Sequence, residues 1–278
     1  MPTTLADALG NLASQTQHVI VGDSEHTDSR IPKTLGDPAA LEALANSGVK
    51  HMFLELPSGR QPLLDMLTDG TITPTGFAKT MADDPLSMRD ERGWQAIGEL
   101  AQQAAQKHGM KVYAADERAD RLQEFITKAR EGLGTTQLDF ENVAAYMKRV
   151  EPYTQPDGTV EGPLTNDRPL ADFISRHAGN EKTVTLFGES HGGRKYDLDE
   201  MLGDAKRCQL FASQASLAES QKEYQHNKLG YEAAPDPPAL RYFIDSKKLE
   251  INGQPVQESP SMQSPPAMLQ PQVRTQPN

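Results

Sequence analysis

The sequence is poor in cysteine, since Cys208 is the only one among 278 residues. A single thiol excludes an intramolecular disulfide framework and a zinc site built from cysteines. Aromatic residues make up only 6% of the chain, and no apolar run approaches the roughly 18 residues that a membrane-spanning helix needs. We therefore expect a globular protein without a membrane span, in which Cys208 packs inside a strand.

Positive charge is also scarce. The chain has 28 Lys and Arg against 39 Asp and Glu, which gives a formal net charge of -11. No basic stripe offsets this excess, so binding to a nucleic-acid backbone is excluded as a function. The mixed run MRDERGW at 88–94 is interpreted as a solvated helix end. The first 15 residues lack the basic and apolar regions of a cleavable secretion signal, which predicts a cytoplasmic protein or one exported by another route.

Four short apolar runs predict the strands of a sheet, at 18–22, 51–56, 111–116 and 183–188, with a fifth at 208–213. They lack alternation of apolar and polar residues, as is typical of parallel strands buried on both faces. Helical patterns separate them, which indicates βαβ units. The predicted fold class is α/β, with a mostly parallel central sheet flanked by helices.

The predicted helices have readable ends. Asp37 followed by Pro38 begins one helix, and Gly109 ends a long one that precedes the third strand. Thr165 or Asn166 is expected to cap the helix before the fourth strand. These caps favour alternating helices and strands over a continuous helical bundle.

The sequence also contains segments that are not needed to connect these predicted strands. Helical insertions follow the second and third strands and predict a cap over a substrate cleft. The stretch 241–256 reads as an edge hairpin. We expect one domain over residues 1–253 and a disordered tail rich in Pro, Gln and Ser over 254–278.

Acidic residues and histidines follow four of the predicted strands. Ligands of open α/β sheets bind beyond the carboxyl ends of the strands, so these side chains are expected to meet there. They are Asp23, Glu25, His26, Glu55, Asp116, Glu117, Glu189 and His191. Crowded carboxylates need a compensating cation. The pattern therefore predicts a divalent metal (Zn, Mn or Fe) held by Asp23, His26, Glu55, Glu189 and His191.

The other histidines carry weaker signals. His18 and His51 begin strands and belong to the opposite edge of the sheet, while His108 and His177 lie at helix C-termini, where a cation meets the helix dipole favourably. We interpret these four as structural.

The stretch TVTLFGESHGGRK, residues 183–195, has two interpretations. Gly188, Ser190 and Gly192 match the nucleophile elbow of a serine hydrolase. That interpretation needs a downstream acid and then a histidine, and only His226 follows. It also requires a helix directly after Ser190, where HGGRKYDLDE is a poor helix start. The alternative is a strand that ends in an acid and imidazole pair, which we favour because it also explains GDSEH at 22–26.

The order of these motifs resembles a known superfamily. Gly22-Asp23-x-x-His26, a strand ending at Glu55, the helix start Asn166-Asp167-Arg168 and Gly188-Glu189-x-His191 are similar to the erythromycin esterase/ChaN/Tiki (TraB-like) superfamily, over about residues 17–215. The resemblance implies an α/β fold with its site at the strand ends. Known members hydrolyse macrolide lactones, cleave peptides with a metal, or bind haem, and some are bacterial effectors or toxins.

Carried over by position, the resemblance matches His26, Glu55 and His191 to the essential family residues and Asp167-Arg168 to the helix-start pair. We hypothesise a hydrolase of esters or peptides in which His26 is the general base, supported by Glu55. Glu189 and His191 would orient the water.

Substrate binding is assigned to Arg168 and Asp116 in this hypothesis, with a small molecule or peptide as the partner. The alternatives are haem or other ligand binding without turnover, a serine hydrolase using Ser190, and an effector that recognises a host protein.

Overall fold

The structure is a computed structural model, and it describes only part of the chain. The described residues are 4–25, 28–83, 89–117, 131, 148–149, 152–154, 158, 160–161, 167–188, 191, 198–218 and 238–256.

The described strands form a large sheet and a small ribbon. The large sheet contains β1 (His18–Asp23), β2 (Val49–Pro57), β3 (Lys111–Asp116), β6 (Lys182–Gly188), β7 (Ala205–Phe211), β8 (Leu240–Phe243), β9 (Lys248–Ile251) and β10 (Gln254–Pro255). The ribbon pairs β4 (Tyr153–Thr154) with β5 (Val160–Glu161). The order in the large sheet is β10-β9-β8-β7-β1-β6-β2-β3.

In the large sheet, all described pairings from β8 across to β3 are parallel, while β9 pairs antiparallel with β8 and with β10. The predicted α/β class with its mostly parallel sheet is therefore confirmed, and so is the C-terminal hairpin at the sheet edge.

Helical segments precede and connect these strands. They are α1 (Leu5–Gln15), α2 (Arg30–Leu35), α3 (Pro38–Asn46), a 3-10 turn (Ser58–Arg60), α4 (Gln61–Thr68), α5 (Pro74–Ala82), α6 (Glu91–His108), α7 (Arg168–Ala178) and α8 (Leu198–Leu202). The Asp37 side chain accepts from the Ala39 N–H at the start of α3, as predicted. Gly109 ends α6 at φ 66°, a left-handed conformation that favours glycine.

Successive strand residues face two separate hydrophobic clusters. Val19, Val21, Met52 and Leu54 pack in the larger cluster with α1 to α6. Ile20, Phe53 and Phe187 face the smaller cluster, which contains residues of α7 and α8. Helices thus cover both faces of the sheet, which is why the strand sequences show no apolar and polar alternation.

The insertion between β2 and β3 extends the helical layer. α5 packs along α6, and Phe77 of α5 is fully buried in the larger cluster. α4 lies beside β3, where the Gln61 amide accepts from the Ala114 N–H at 2.8 Å and donates to the Val112 carbonyl at 3.1 Å. The Gln61 side chain therefore forms hydrogen bonds with backbone groups of β3, which is an edge strand of the large sheet. The insertion after β3 falls mostly outside the described residues, so its predicted role as a cap stays a prediction.

The predicted start of the tail differs by a few residues from the structure. β10 pairs with β9, and the Val256 N–H donates to the Leu249 carbonyl at 2.8 Å. Residues 257–278 lie outside the described residues, and the division into one domain and a tail stays a prediction. Cys208 is buried in β7, as predicted, and its burial raises the pKa of the thiol. Within the described ranges, no helix is long and apolar enough to cross a membrane.

Candidate functional site

His191 lies between two carboxylates beyond the carboxyl end of β6. Its Nδ1 is 2.7 Å from Oδ1 of Asp167, the residue that precedes α7. Its Nε2 is 3.1 Å from Oε1 of Glu55 on β2. The structure thus brings Glu55 together with two residues, Asp167 and His191, that lie more than a hundred positions later in the sequence.

Glu55 also holds the end of the neighbouring strand. Its second oxygen, Oε2, accepts from the backbone N–H of Gly188 at 2.6 Å. A hydrogen bond to a carboxylate is stronger than one between neutral groups. Because β2 and β6 are adjacent and parallel, this bond fixes the carboxylate of Glu55 relative to the turn that carries His191.

Asp167 occupies the N-cap position of α7, yet its side chain makes no capping hydrogen bond. Its carboxylate points to His191 instead. The sequence predicts Thr165 or Asn166 as the cap, and that prediction is wrong because the helix starts one residue later. A local pattern cannot show that an acid at a helix start binds a distant imidazole. Both predicted caps lie outside the described residues.

The three side chains differ in their access to solvent. The exposed fraction is 1% for Asp167, 11% for His191 and 21% for Glu55. A buried carboxylate at Nδ1 orients an imidazole and fixes which nitrogen carries the proton. The Phe187 ring meets the His191 ring edge-on, with 5.9 Å between centroids, and restricts it further. The imidazole thus links a buried acid to a more accessible one.

A second buried pair lies at the end of β1. Oδ2 of Asp23 is 2.6 Å from Nη2 of Arg89, and both side chains are buried. Oδ1 of Asp23 accepts from the Glu25 N–H at 3.1 Å. The interpretation of MRDERGW as a solvated helix end is therefore wrong for Arg89. In the sequence, Arg89 stands among acidic residues, which suggests that its side chain is exposed to solvent. Only the tertiary structure shows that Asp23 lies beside Arg89.

The two predicted substrate-binding residues lie near this edge. Asp116 ends β3 and is buried. Arg168 begins α7 and is exposed. Glu117, next to Asp116, forms an ion pair with Arg176 at 2.8 Å. Because α7 packs on β3, this pair links the end of β3 to the helix that Asp167 precedes. The binding roles of Asp116 and Arg168 stay predictions.

His26, Glu189 and Ser190 lie outside the described residues, so their predicted roles stay predictions. Among the residues that the structure does describe, no group of three His, Cys, Asp or Glu side chains is arranged to hold a metal ion. Both nitrogens of His191 face carboxylates, and both oxygens of Asp23 are engaged by Arg89 and Glu25. Two of the five predicted metal ligands, His26 and Glu189, lie outside the described residues, so the predicted metal centre stays a prediction.

Histidines at the opposite edge are structural, as predicted. His18 forms a 2.9 Å hydrogen bond with Thr183, and burial lowers the pKa of its imidazole while Asp204 acts in the opposite direction. His51 is buried, with Nε2 at 2.6 Å from Oε2 of Glu181. His177 donates to the Phe173 carbonyl near the end of α7.

Comparison with known proteins supports the fold class. No protein-family model matches the chain, and no curated protein does. The solved structure of the type III effector HopBA1 is similar, with a TM-score of 0.50 and 14% identity over 75% of this chain and 83% of that chain. A structure of ChaN of Campylobacter jejuni, determined for its cofacial heme binding, has a TM-score of 0.48 and 16% identity over 74% and 85% of the two chains. At 14% identity the likeness to HopBA1 concerns the fold alone. The chain is an α/β protein with a Glu55–His191–Asp167 cluster at the carboxyl edge of its sheet.

Proposed function

We propose that the protein is a hydrolase of ester or peptide bonds, with Glu55, His191 and Asp167 as its acid–base machinery. The observation that carries the proposal is the position of His191, which contacts a buried carboxylate at one nitrogen and a partly exposed carboxylate at the other. These linked side chains lie at the carboxyl edge of the sheet, where ligands of α/β proteins bind.

Glu55 is the proposed general base, because it is the most accessible of the three side chains. A water molecule attacks the carbonyl carbon of the substrate and transfers one proton to Glu55. The proton then passes to the leaving alkoxide or amine as the carbon–oxygen or carbon–nitrogen bond breaks. Nε2 of His191 contacts the Glu55 carboxylate, and Asp167 at Nδ1 keeps the imidazole in the orientation that this contact needs.

This assignment revises the sequence-based hypothesis, in which His26 is the base and Glu55 supports it. In the structure, Glu55 contacts His191 and the backbone N–H of Gly188. His26 lies outside the described residues, so a direct role in the reaction stays a prediction for it.

Hydrolysis is favoured over other acid–base reactions by the resemblance to the erythromycin esterase/ChaN/Tiki superfamily. Three of the cluster's features belong to that resemblance: the strand ending at Glu55, Asp167 at the helix start and His191 after Gly188. From these three features we infer that the protein belongs to this superfamily. The likeness to HopBA1 concerns the fold alone, so delivery of this protein into a host cell stays a prediction.

The test is hydrolysis of a broad ester and peptide panel by the purified full chain. Glu55→Gln, His191→Asn and Ser190→Ala are compared with wild type, and Glu181→Gln is the matched control at the opposite edge. We expect Glu55→Gln and His191→Asn to lose on the order of 10²-fold or more in rate, while the other two retain wild-type rates. Wild-type rates in Glu55→Gln and His191→Asn would overturn the proposal.

The same proteins separate the alternatives. Loss of activity in Ser190→Ala alone would assign a serine hydrolase. Absence of turnover by wild type, together with a shifted Soret band on titration with hemin, would assign haem binding without catalysis.

A further inference from the structure

We propose that Arg89 is a positioning residue for the site. Its guanidinium holds the Asp23 carboxylate, and thereby the end of β1, against the strand end that carries the Gly188–Glu55 hydrogen bond. The inference rests on the proposed function for the role of Glu55, and it goes beyond it by assigning a residue that lies outside the acid–base chain.

The contact itself is buried and specific. Nη2 of Arg89 is 2.6 Å from Oδ2 of Asp23, and neither side chain is exposed to a significant degree. The guanidinium carbon also lies 5.9 Å from the centroid of the Trp94 ring, which is buried in α6. Arginine suits both contacts, because its planar charged group stacks on an aromatic ring and donates to a carboxylate.

The contact joins two layers of the fold. Arg89 precedes α6, which packs in the larger hydrophobic cluster on one face of the sheet. Asp23 is the last residue of β1, within the sheet itself. The ion pair therefore ties the start of a long helix to the carboxyl end of a central strand. Losing one partner would leave a buried charge without its counterion, which is strongly unfavourable.

The end of β1 is next to the site. Asp23 is the register partner of Gly188 in the parallel pairing of β1 with β6. Gly188 donates its N–H to Glu55 on the other side of β6. Neighbouring strands lie about 4.8 Å apart, so the Arg89 contact acts on a strand end that is immediately adjacent to the one Glu55 binds.

The turn after β1 is fixed on two sides. Asp23 accepts from the Glu25 N–H within the turn, and Ser24 donates its hydroxyl to the Leu210 carbonyl of β7 at 2.8 Å. Arg89 adds a restraint on Asp23 from the helical layer. Asp23 is thus a structural anion in this inference, and not a metal ligand as the sequence predicts.

The first experiment needs no substrate. Assigned amide spectra are recorded for the full chain as wild type, Arg89→Met, Arg89→Lys and the double variant Asp23→Asn with Arg89→Met. Arg92→Met is the matched control, because Arg92 lies three residues away in the same segment and is 87% exposed. We expect Arg89→Met to shift the Glu25 and Gly188 amide resonances beyond the changes seen in Arg92→Met. The double variant is expected to move the Gly188 resonance back toward wild type, because it removes the unpaired anion.

Unchanged Glu25 and Gly188 resonances in a folded Arg89→Met protein would overturn the inference. If the Arg89→Met protein does not fold, the Arg89→Lys variant provides the test. Lysine retains the positive charge of Arg89 but lacks the planar group that lies near the Trp94 ring. Unchanged resonances in folded Arg89→Lys would then overturn it as well.

The second experiment uses a substrate found in the hydrolysis panel. We expect Arg89→Lys to lower kcat/KM on the order of tenfold or more, because small displacements of catalytic groups are costly, with Arg92→Lys at the wild-type value. A wild-type kcat/KM in Arg89→Lys would overturn the positioning role. The two proposals fail separately: an inactive panel leaves the amide shifts interpretable, and unshifted amides leave the role of Glu55 intact.

Discussion

The two ends of one sheet face both hold a histidine against a carboxylate, at nearly the same distance. At the amino edge, Nε2 of His51 is 2.6 Å from Glu181, and at the carboxyl edge Nδ1 of His191 is 2.7 Å from Asp167. The difference is in burial. Glu181 is 58% exposed, whereas Asp167 is buried and His191 contacts a second carboxylate as well. A short histidine–carboxylate distance therefore does not identify a site by itself.

The surroundings of the His51 and His191 rings also differ. His51 stacks with Tyr113 and Phe53, at centroid distances of 5.7 and 6.2 Å. Its Nδ1 is buried and has no hydrogen-bond partner among the residues that the structure describes. One nitrogen of His51 is thus closed off by packing, while both nitrogens of His191 are engaged by acids. Among the described residues of these two pairs, only His191 joins two carboxylates.

The largest expected effect separates the two edges by activity. Asp167→Asn removes the acid that orients His191 and should lower kcat/KM by roughly 10³-fold, equal to about 4 kcal/mol. Glu181→Gln should leave kcat/KM unchanged, because Glu181 lies at the opposite edge. The measurement is steady-state hydrolysis with the substrate found in the panel. Equal losses in the two variants would remove the functional distinction between the edges.

The next effect concerns stability in the part of the sheet face that lies between the two edges. Phe53 is fully buried, between His51 and Glu55 on β2, and stacks on Tyr113 at 4.9 Å. Phe53→Ala should lower the free energy of unfolding by about 3 kcal/mol, through lost burial and a residual cavity. Urea denaturation followed by circular dichroism measures it. A change below about 1 kcal/mol would show that this face relaxes around the cavity.

A smaller effect is expected from His18 at the amino edge. Burial lowers the pKa of its imidazole below the unfolded value, so the folded state disfavours the proton. The unfolded chain then binds more protons as the pH falls below about 6.5, and stability is lost through that range. His18→Gln should flatten the dependence of unfolding free energy on pH between 7 and 5. An identical slope in both proteins would contradict the prediction.

The smallest effect is expected from Glu181. Its hydrogen bond with His51 lowers the pKa of the carboxyl, so the stability it contributes is present above its ordinary pKa and is lost as the pH falls through the lowered value. Because Glu181 is largely exposed, solvent screens the contribution. Glu181→Gln should give a small decrease in the denaturation midpoint at pH 7 and a smaller one at pH 3. A large decrease at both values would indicate a packing role.

Much of the frame was predictable from local patterns. The apolar runs at 18–22, 51–56, 111–116 and 183–188 each overlap a strand of the structure, because unalternating apolar segments between helical patterns have few other solutions in an α/β protein. The assignment of His18 and His51 to the amino edge, and of Glu55 and His191 to the carboxyl edge, followed from parallel pairing alone.

The contacts within the site were not predictable in the same way. Asp167 was noticed only through the resemblance, and nothing local indicates that its carboxylate binds His191 instead of capping α7. Arg89 gave a misleading signal, since an arginine among acidic residues usually lies in solvent. Both depend on which helix packs over which strand end.

By itself, the sequence determined the fold class, the approximate positions of the central strands and the sheet edge at which His18, His51, Glu55 and His191 lie, because these depend on periodicity and chain direction. Only the tertiary structure decided that His191 lies between Asp167 and Glu55 and that Asp23 is paired with Arg89. Hydrogen bonds and buried ion pairs require atoms to approach within about 3 Å, and that precision comes from the packing of helices on the sheet.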